Sequence, residues 1–408
     1  MISKHADDRS MKQYKILFFV AIVSFMVLAH VHAEAFAQQH AERFSNPNAM
    51  FVGPPVKRVP IADAVSATAA DPKASADARA LLKYFYGLSN NQKANVILSG
   101  QQVGSVNMKA EPIAASYAKY FKALEKQTGR LPVIMGVDYG WWQFLGNYTA
   151  INAKLIEHWN SGGLLEISIS PNNPFTRKGL RDPSLGGHAY DDIFTPGNEV
   201  NRRWLADLDK IAAGLTQLQD AGVVVLWRPF QEMNGQWFWW SYGEKGRATR
   251  EEFLALWKHM FDYFTKEKGL HNLLWVYAPN ATLGNRNYRP ATYYYPGNNY
   301  VDIVGLDYYH DDMTQVNDDG SYDALVALGK PFGFAEVGPQ TRKTFDNVAV
   351  VDAINTRYPQ VVFAMFWKGS VEPGFLHLKR AIVENQHAKE FMNHPLILTL
   401  ENKVRERQ

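Results

Sequence analysis

The sequence contains no cysteine, and this absence excludes disulfide frameworks, thiol nucleophiles and thiolate metal ligands. It also lacks an excess of charge, because 43 Lys and Arg residues against 40 Asp and Glu residues give a formal net charge of +3. No run of basic residues is interleaved with aromatic residues in the way that a nucleic-acid groove requires. Nucleic acid is therefore not an expected partner.

Several catalytic motifs are missing as well. The sequence has no H-E-x-x-H or similar spacing, no G-x-S-x-G elbow, and only LSGQQVGS where a glycine-rich phosphate loop would follow the first strand. We therefore predict neither a metal nor an organic cofactor, and the sequence does not support a serine hydrolase. The histidines are scattered along the chain and include His158, His188, His259, His271 and His310.

The N-terminus has the order of a secretory signal peptide. Lysines precede an apolar run at residues 16–29, and a small-residue pattern, A-F-A, ends at Ala37. The run is too short to span a bilayer comfortably. We predict a signal peptide at residues 1–37, a secreted or periplasmic protein, and no stable membrane insertion after cleavage. Cleavage after Ala33 and an uncleaved anchor are the alternatives.

The remaining chain divides into a leader, one large domain and a short tail. Residues 38–75 contain several prolines and little periodicity, which predicts a leader or an arm on the surface. Apolar spacing typical of an amphipathic helix begins at Ala76. We predict a single domain over residues 76–402 and a C-terminal tail at residues 403–408.

A repeated pattern within this domain indicates a (β/α)8 barrel. Short apolar, β-branched runs end in polar or acidic residues, and a stretch long enough for a helix often follows. Helical candidates at residues 201–222 and 250–269 each end in a glycine, where a helix C-cap belongs. A doubly wound open sheet is the alternative, although it would more naturally carry a phosphate loop. The eight runs are NVILSGQQ, PVIMGVDYG, GLLEISIS, VVVLWRPFQE, NLLWVYAPN, VDIVGLDYY, PFGFAEVG and VVFAMFWKG.

Two of these runs carry a glutamate near their C-terminal end, Glu232 on the fourth and Glu336 on the seventh. Chemistry in such a barrel lies at the C-terminal strand ends, where these two strands can reach across the mouth toward one bound chain. Two carboxylates about 5 to 5.5 Å apart suit a retaining glycosidase. Because a general acid must hold its proton near neutral pH, we predict that Glu232, beside Trp237, is the acid and Glu336 the nucleophile.

Other residues near the strand ends offer polar and aromatic side chains. A bound sugar requires hydrogen-bond partners and a stacking platform. The aromatic share of 13% agrees with stacking surfaces, although a large core would also use it. Arg228 could orient a glutamate or pair with a structural acid. The candidates for sugar binding are Asp138, Trp237, Asp307, Tyr308, Tyr309 and Trp367.

These segments resemble glycoside hydrolase family 26, which is best known for β-mannanases. WRPFQEMNGQWFWW is similar to the acid/base segment of that family, FAEVG to its nucleophile segment, and NLLWVYAPN and VDIVGLDYY to the strands between them. The resemblance extends over residues 88–402. It implies that Glu232 is the acid/base and Glu336 the nucleophile, with Tyr309 as partner of the nucleophile and Trp367 as a sugar platform.

Two positions depart from the family pattern. Gln231 stands before the acid where histidine is common, and Ser170 stands where a second histidine is common. Both side chains can hydrogen-bond a sugar hydroxyl, but neither titrates near neutral pH. We therefore count both as substrate-binding candidates. We hypothesise a β-linked substrate other than plain mannan, or a mannan-containing exopolysaccharide made by the same cell.

The sequence thus predicts a retaining endo-β-glycoside hydrolase that acts on a polysaccharide or oligosaccharide without a cofactor. β-Mannanase is the activity that the resemblance favours, while β-glucanase, xylanase and exopolysaccharide hydrolase remain open. A non-catalytic polysaccharide-binding protein, which keeps the groove without turnover, is an alternative of a different class. A cell-envelope scaffold is a third, and it requires an uncleaved anchor.

Overall fold

The computed structural model describes residues 56–60, 67–105, 113–141, 148–241, 248–341, 345–369 and 378–402. The predicted signal peptide and the predicted C-terminal tail lie outside these residues. Of the predicted arm, residues 56–60 and 67–75 are described. The predicted boundary of the catalytic domain at residue 76 stays a prediction.

Eight parallel strands form a closed barrel, as predicted. Each strand pairs with its neighbour in sequence, and β1 pairs with both β2 and β8, which closes the sheet. A short ninth strand, β9, pairs with the first residues of β1. The strands are β1 (Ile97–Ser105), β2 (Ile134–Trp141), β3 (Leu164–Ser170), β4 (Val225–Pro229), β5 (Leu273–Tyr277), β6 (Ile303–Tyr309), β7 (Phe332–Gly338), β8 (Val361–Phe366) and β9 (Ile397–Leu398).

Helices cover the outside of the barrel, and both long predicted helices form. The helix at 250–262 starts with a capping box between Thr249 and Glu252, and it continues as a π-helix at Tyr263–Glu267. No α-helix connects β5 to β6, a connection that the structure describes in full. The α-helices are α1 (Ala76–Ser89), α2 (Ile113–Tyr117), α3 (Ala123–Thr128), α4 (Thr149–Asn160), α5 (Glu199–Asp220), α6 (Arg250–Asp262), α7 (Ser321–Val326), α8 (Asn347–Thr356) and α9 (Ala388–Met392); a π-helix (Ala118–Lys122) joins α2 to α3.

The strands are buried on both faces, because helices cover one face and the barrel interior fills the other. In β3, β4, β5, β7 and β8 every residue is buried. This explains why these strands read as continuous apolar runs rather than alternating ones. Among the described residues, no helix is both long enough and apolar enough to cross a lipid bilayer.

The described part of the arm packs against the N-terminal end of the barrel. The Val56 amide donates to the Asn355 carbonyl at 3.0 Å, and the Ala70 amide donates to the Asp302 carboxylate at 2.7 Å. Arg58 is buried at this end. Residues 56–60 and 67–75 therefore belong to the same compact unit as the barrel.

Candidate active site

Glu232 and Glu336 meet at the C-terminal end of the barrel. Glu336 lies within β7, and Glu232 follows β4, which ends at Pro229. Together with Asp307 on β6, each of these residues offers a carboxylate oxygen within 4.8 Å of the others. Oxygens this close agree with the spacing of about 5 to 5.5 Å between the carboxyl groups of retaining glycosidases rather than with the roughly 6.5 to 9.5 Å of inverting ones.

The backbone that carries Glu232 adopts a conformation that packing must hold in place. Phe230 and Glu232 both have left-handed backbones, with φ of 53° and 56°. The buried Phe230 ring contacts Trp204, Trp240, Phe253 and Trp257, with ring centroids 6.1 to 6.4 Å apart. This aromatic cage fixes the turn and so stabilises a backbone that would otherwise be unfavourable.

The aromatic run at residues 237–240 has two different functions. Trp237 alone contacts the acid, since its Nε1 donates to Oε2 of Glu232 at 2.7 Å. Trp239 and Trp240 are buried, and their indole groups donate to backbone carbonyls, that of Trp240 to Gln231 at 3.1 Å. A side chain at Gly235 would begin 2.3 Å from the Trp237 ring, so only glycine permits this packing.

Glu336 is held from two sides. The Tyr309 hydroxyl donates to its Oε2, and Arg228 Nη2 forms an ion pair with its Oε1 at 2.9 Å. Arg228 is fully buried and faces three carboxylates, because it also pairs with Glu166 at 2.6 Å and with Asp307 at 3.4 Å. Arg228 therefore has both of the predicted alternatives: it orients a glutamate, Glu336, and it pairs with a structural acid, Glu166.

Glu166 and Gln102 are part of this network, although neither was predicted as a site residue. Gln102 Nε2 donates to Glu166 Oε2 at 2.5 Å, while Arg228 Nε donates to the other oxygen. The signal for Glu166 was present in the sequence, because a single acid within the apolar run GLLEISIS requires a buried partner. Its partner lies on the neighbouring strand β4, a pairing that the run alone does not reveal.

Three carboxylates pair with one buried guanidinium, and Glu232 lies close to two of them, so not all four carboxyl groups can be ionised easily. Two like charges 4 Å apart repel by about 4 kcal/mol at the effective dielectric of a protein. Burial, reinforced by the charge of Glu336, raises the pKa of Glu232 to about 7. Burial raises the pKa of Glu166 to about 7 against the opposing effect of Arg228, and burial and Glu336 raise the pKa of Asp307 well above its usual range.

A second polar chain joins three predicted substrate-binding residues beside the acid. Gln231 Nε2 donates to the Ser170 hydroxyl at 3.1 Å, which donates to Asp138 at 2.9 Å. The Oε1 of Gln231 is buried and accepts no hydrogen bond from the residues that the structure describes. Trp367 directly follows β8 and is partly exposed.

The cluster of Glu232, Asp307 and Glu336 has a spacing that could hold a cation. Both oxygens of Glu336, however, already have partners in Arg228 and Tyr309. The Arg228 guanidinium thus supplies positive charge where a metal ion would otherwise be expected.

A (β/α)8 barrel with two close glutamates at its C-terminal end, one with a raised pKa and one held by an arginine and a tyrosine, defines a glycoside hydrolase. Known proteins identify the family. The model of glycosyl hydrolase family 26 matches residues 70–402. This chain belongs to glycosyl hydrolase family 26, as the resemblance in its motifs predicted.

Several relatives illustrate this membership. Mannan endo-1,4-beta-mannosidase of Bacillus subtilis is 38% identical over 272 residues, which are 64% of this chain and 73% of the relative. Mannan endo-1,4-beta-mannosidase A and B of Caldalkalibacillus mannanilyticus is 39% identical over 60% of this chain and 49% of the relative. The structure of Bacillus subtilis mannanase man26 superposes with a TM-score of 0.69 and 32% identity, covering 81% of this chain and 94% of that one.

Proposed function

We propose that this protein hydrolyses internal β-1,4 linkages in mannose-containing polysaccharides and retains the configuration at the anomeric carbon. The observation that carries the proposal is the close pair Glu232 and Glu336, whose carboxylate oxygens approach within 4.8 Å. The names of the relatives, which are mannan endo-1,4-beta-mannosidases, support the substrate class.

Glu336 has the surroundings of a nucleophile. The guanidinium of Arg228 pairs with one of its oxygens, and the Tyr309 hydroxyl donates to the other. A carboxylate that forms a covalent glycosyl intermediate must be ionised and fixed in direction before the substrate binds. The two partners fix the direction of Glu336, and Arg228 places a positive charge beside it.

Glu232 has the surroundings of an acid. Its pKa of about 7, raised by burial and by the charge of Glu336, keeps a proton on it near neutral pH. Because the Trp237 indole donates to Oε2, that oxygen acts as an acceptor and the proton resides on Oε1. The second oxygen can therefore donate to the glycosidic oxygen of the substrate.

The reaction then proceeds in two displacements. In the first, Glu336 forms a bond to the anomeric carbon while the glycosidic C–O bond breaks and Glu232 gives its proton to the leaving oxygen. In the second, the ionised Glu232 takes a proton from water, whose oxygen attacks the anomeric carbon and releases Glu336. Two inversions leave the β-configuration in the product, and the enzyme returns to its starting protonation state.

The polar chain beside the acid favours a second candidate substrate. Gln231, Ser170 and Asp138 form a network whose buried acceptor, Oε1 of Gln231, a sugar hydroxyl could satisfy. Since this network differs from the histidines that are common in the family, a mannose polymer that carries other sugars is the second candidate. Preference for plain β-1,4-mannan over every mixed polymer would contradict it.

The experiment is reducing-sugar release from mannan, glucomannan, mixed-linkage glucan, xylan and bacterial exopolysaccharide. Glu336→Ala serves as the blank, and Glu251→Ala, which removes an exposed acid, controls for preparation. We expect release from a mannose-containing polymer by the wild type and by Glu251→Ala, and none by Glu336→Ala. If the wild type released no sugar from any polymer but still bound one of them, a binding protein would be favoured instead.

We also propose that the protein acts outside the cytoplasm. The support is the order of lysines, apolar run and A-F-A pattern within residues 12–37. Fractionation of producing cells should find the protein in the periplasm or the medium, with an N-terminus at or near residue 38. A full-length protein in the membrane fraction would indicate an uncleaved anchor.

A further inference from the structure

Arg380, which no motif in the sequence indicated, lies over the ring of Tyr309 at the active site. Its segment follows β8, and the Ile382 amide donates to Oε1 of Gln101 at 2.9 Å. Gln101 is buried on β1, and its Nε2 donates to the carbonyls of Phe366 and Trp367 at the end of β8. Gln101 thus joins β1, the end of β8 and the segment of Arg380 into one rigid unit.

This anchoring brings Arg380 against the ends of β6 and β7. Gly338 ends β7, where it pairs with Tyr309 of β6. A Cβ atom at Gly338 would lie 3.2 Å from the Cβ and Cγ of Arg380, so the absence of a side chain allows the close approach. Arg380 Nε donates to the Pro339 carbonyl at 3.3 Å, and its guanidinium carbon lies 3.9 Å from the centroid of the Tyr309 ring.

A cation over the ring changes what the Tyr309 hydroxyl can do. The positive charge withdraws electron density from the phenol, which makes its O–H a stronger donor, and the stacking fixes the direction of the ring. That hydroxyl donates to Glu336. We propose that Arg380 is a positioning residue, which acts through Tyr309 to hold Glu336 in its attacking orientation. This inference rests on the proposed glycosidase function.

The charge of Arg380 also reaches the acid. Glu232 is faced by Glu336 from β7, by Asp307 from β6, by Arg228 from β4, by the Trp237 indole and by Arg380. Burial and Glu336 raise the pKa of Glu232, whereas the indole and the two arginines lower it. Removal of Arg380 therefore raises this pKa further, and the alkaline limb of the pH–rate profile moves to higher pH.

The test compares Arg380→Met and Arg380→Lys with Lys379→Met, a control that removes the same charge from the adjacent, exposed residue. We expect kcat of Arg380→Met to fall about tenfold, the size of effect that a desolvated cation–π contact supports, with little change in KM. Arg380→Lys should retain most of the activity, because it keeps a cation. Lys379→Met should match the wild type in kcat and in the alkaline limb.

A double-mutant cycle with Tyr309→Phe separates positioning from direct contact with substrate. If Arg380 acts through the Tyr309 hydroxyl, Arg380→Met should cost little further kcat in the Tyr309→Phe background. An undiminished loss in that background, a rise in KM at constant kcat, or no loss at all would overturn the inference. Activity of the wild type is measured first, since an inactive wild type contradicts the proposed function instead.

Discussion

Two buried arginines at opposite ends of the barrel have opposite surroundings. Arg228, at the C-terminal end, faces the carboxylates of Glu166, Asp307 and Glu336. Arg58, at the N-terminal end, donates only to backbone carbonyls among the described residues; the acceptors are those of Leu88, Val96, Pro359 and Val361.

The pKa values of the two side chains reflect this difference. Burial by itself lowers the pKa of Arg228, but Glu166, Glu336 and Asp307 outweigh it and keep this pKa well above its usual range. Burial lowers the pKa of Arg58 to about 10; Tyr322 opposes this shift, and none of the carboxylates that the structure describes pairs with Arg58. Neutral carbonyls accept hydrogen bonds from Arg58 and do not titrate, which suits a side chain that only connects structural elements. Carboxylates that lie close together differ in how readily they are protonated, which suits a site that needs one carboxyl group as a proton donor.

The largest expected effect is the loss of the nucleophile. Glu336→Ala should reduce kcat by roughly 10⁴-fold or more, because no other described carboxylate at this position is held by both Arg228 and Tyr309. The folded state should survive, because the variant removes one of the like charges around Arg228. Turnover of a soluble oligosaccharide and circular dichroism measure the two quantities. Substantial turnover would contradict the assignment of Glu336.

The next effect is the loss of the cation at the catalytic end. Arg228→Met should reduce kcat by about 10²- to 10³-fold, since Glu336 loses the positive charge that pairs with it and orients it. It should also destabilise the fold by roughly 3 to 5 kcal/mol, because carboxylates remain buried without their partner. Steady-state kinetics and urea unfolding test both expectations. Loss of stability with normal kcat would make Arg228 purely structural.

A smaller effect is the pH dependence of the wild type. The acid Glu232 must carry a proton, and burial together with Glu336 raises its pKa to about 7. The value of kcat/KM, which reports the first displacement, should therefore fall about tenfold per pH unit above this pKa. A pH–rate profile between pH 4 and about 10 measures the limb. If the alkaline limb of the pH–rate profile lay near the ordinary pKa of glutamate, the site would not raise the pKa of Glu232.

The smallest expected effect on turnover belongs to Arg58. Arg58→Met should leave kcat unchanged, since its partners lie at the end of the barrel away from the glutamates. It should lower the free energy of unfolding by roughly 3 kcal/mol, because buried carbonyls lose a charged donor. Lys57→Met, which changes the adjacent exposed residue, is the matched control. A fall in kcat at full stability would link the two ends of the barrel.

Much of this fold was predictable because strands of a covered parallel barrel leave continuous apolar runs. All eight predicted runs contain a strand, and the predicted helices at 201–222 and 250–269 form. The less accurate part was the end of the fourth run. The strand ends at Pro229, and two left-handed residues then turn Glu232 toward the mouth. The cage of aromatic rings that holds this turn comes from distant segments, so local pattern could not reveal it.

The candidate site was predictable in its types of residue but not in its connections. The sequence indicated Glu232 and Glu336, and the structure brings both together with Asp307 and Tyr309. The charged network around the two glutamates includes Glu166 and Arg380, which meet the other residues only through the register and closure of the barrel. Tertiary contacts, rather than sequence spacing, determine which acid keeps its proton.

The most direct measurement is the identification of the covalent intermediate. The protein would be incubated with a 2-deoxy-2-fluoro mannoside that carries a good leaving group. The fluorine slows both displacements because both have oxocarbenium-like transition states, whereas the leaving group accelerates only the first, so the covalent intermediate accumulates. Mass spectrometry of proteolytic peptides then locates the sugar. The account predicts one sugar per chain, attached to Glu336. A sugar on Glu232, or turnover that yields the inverted product with no labelled peptide, would contradict it.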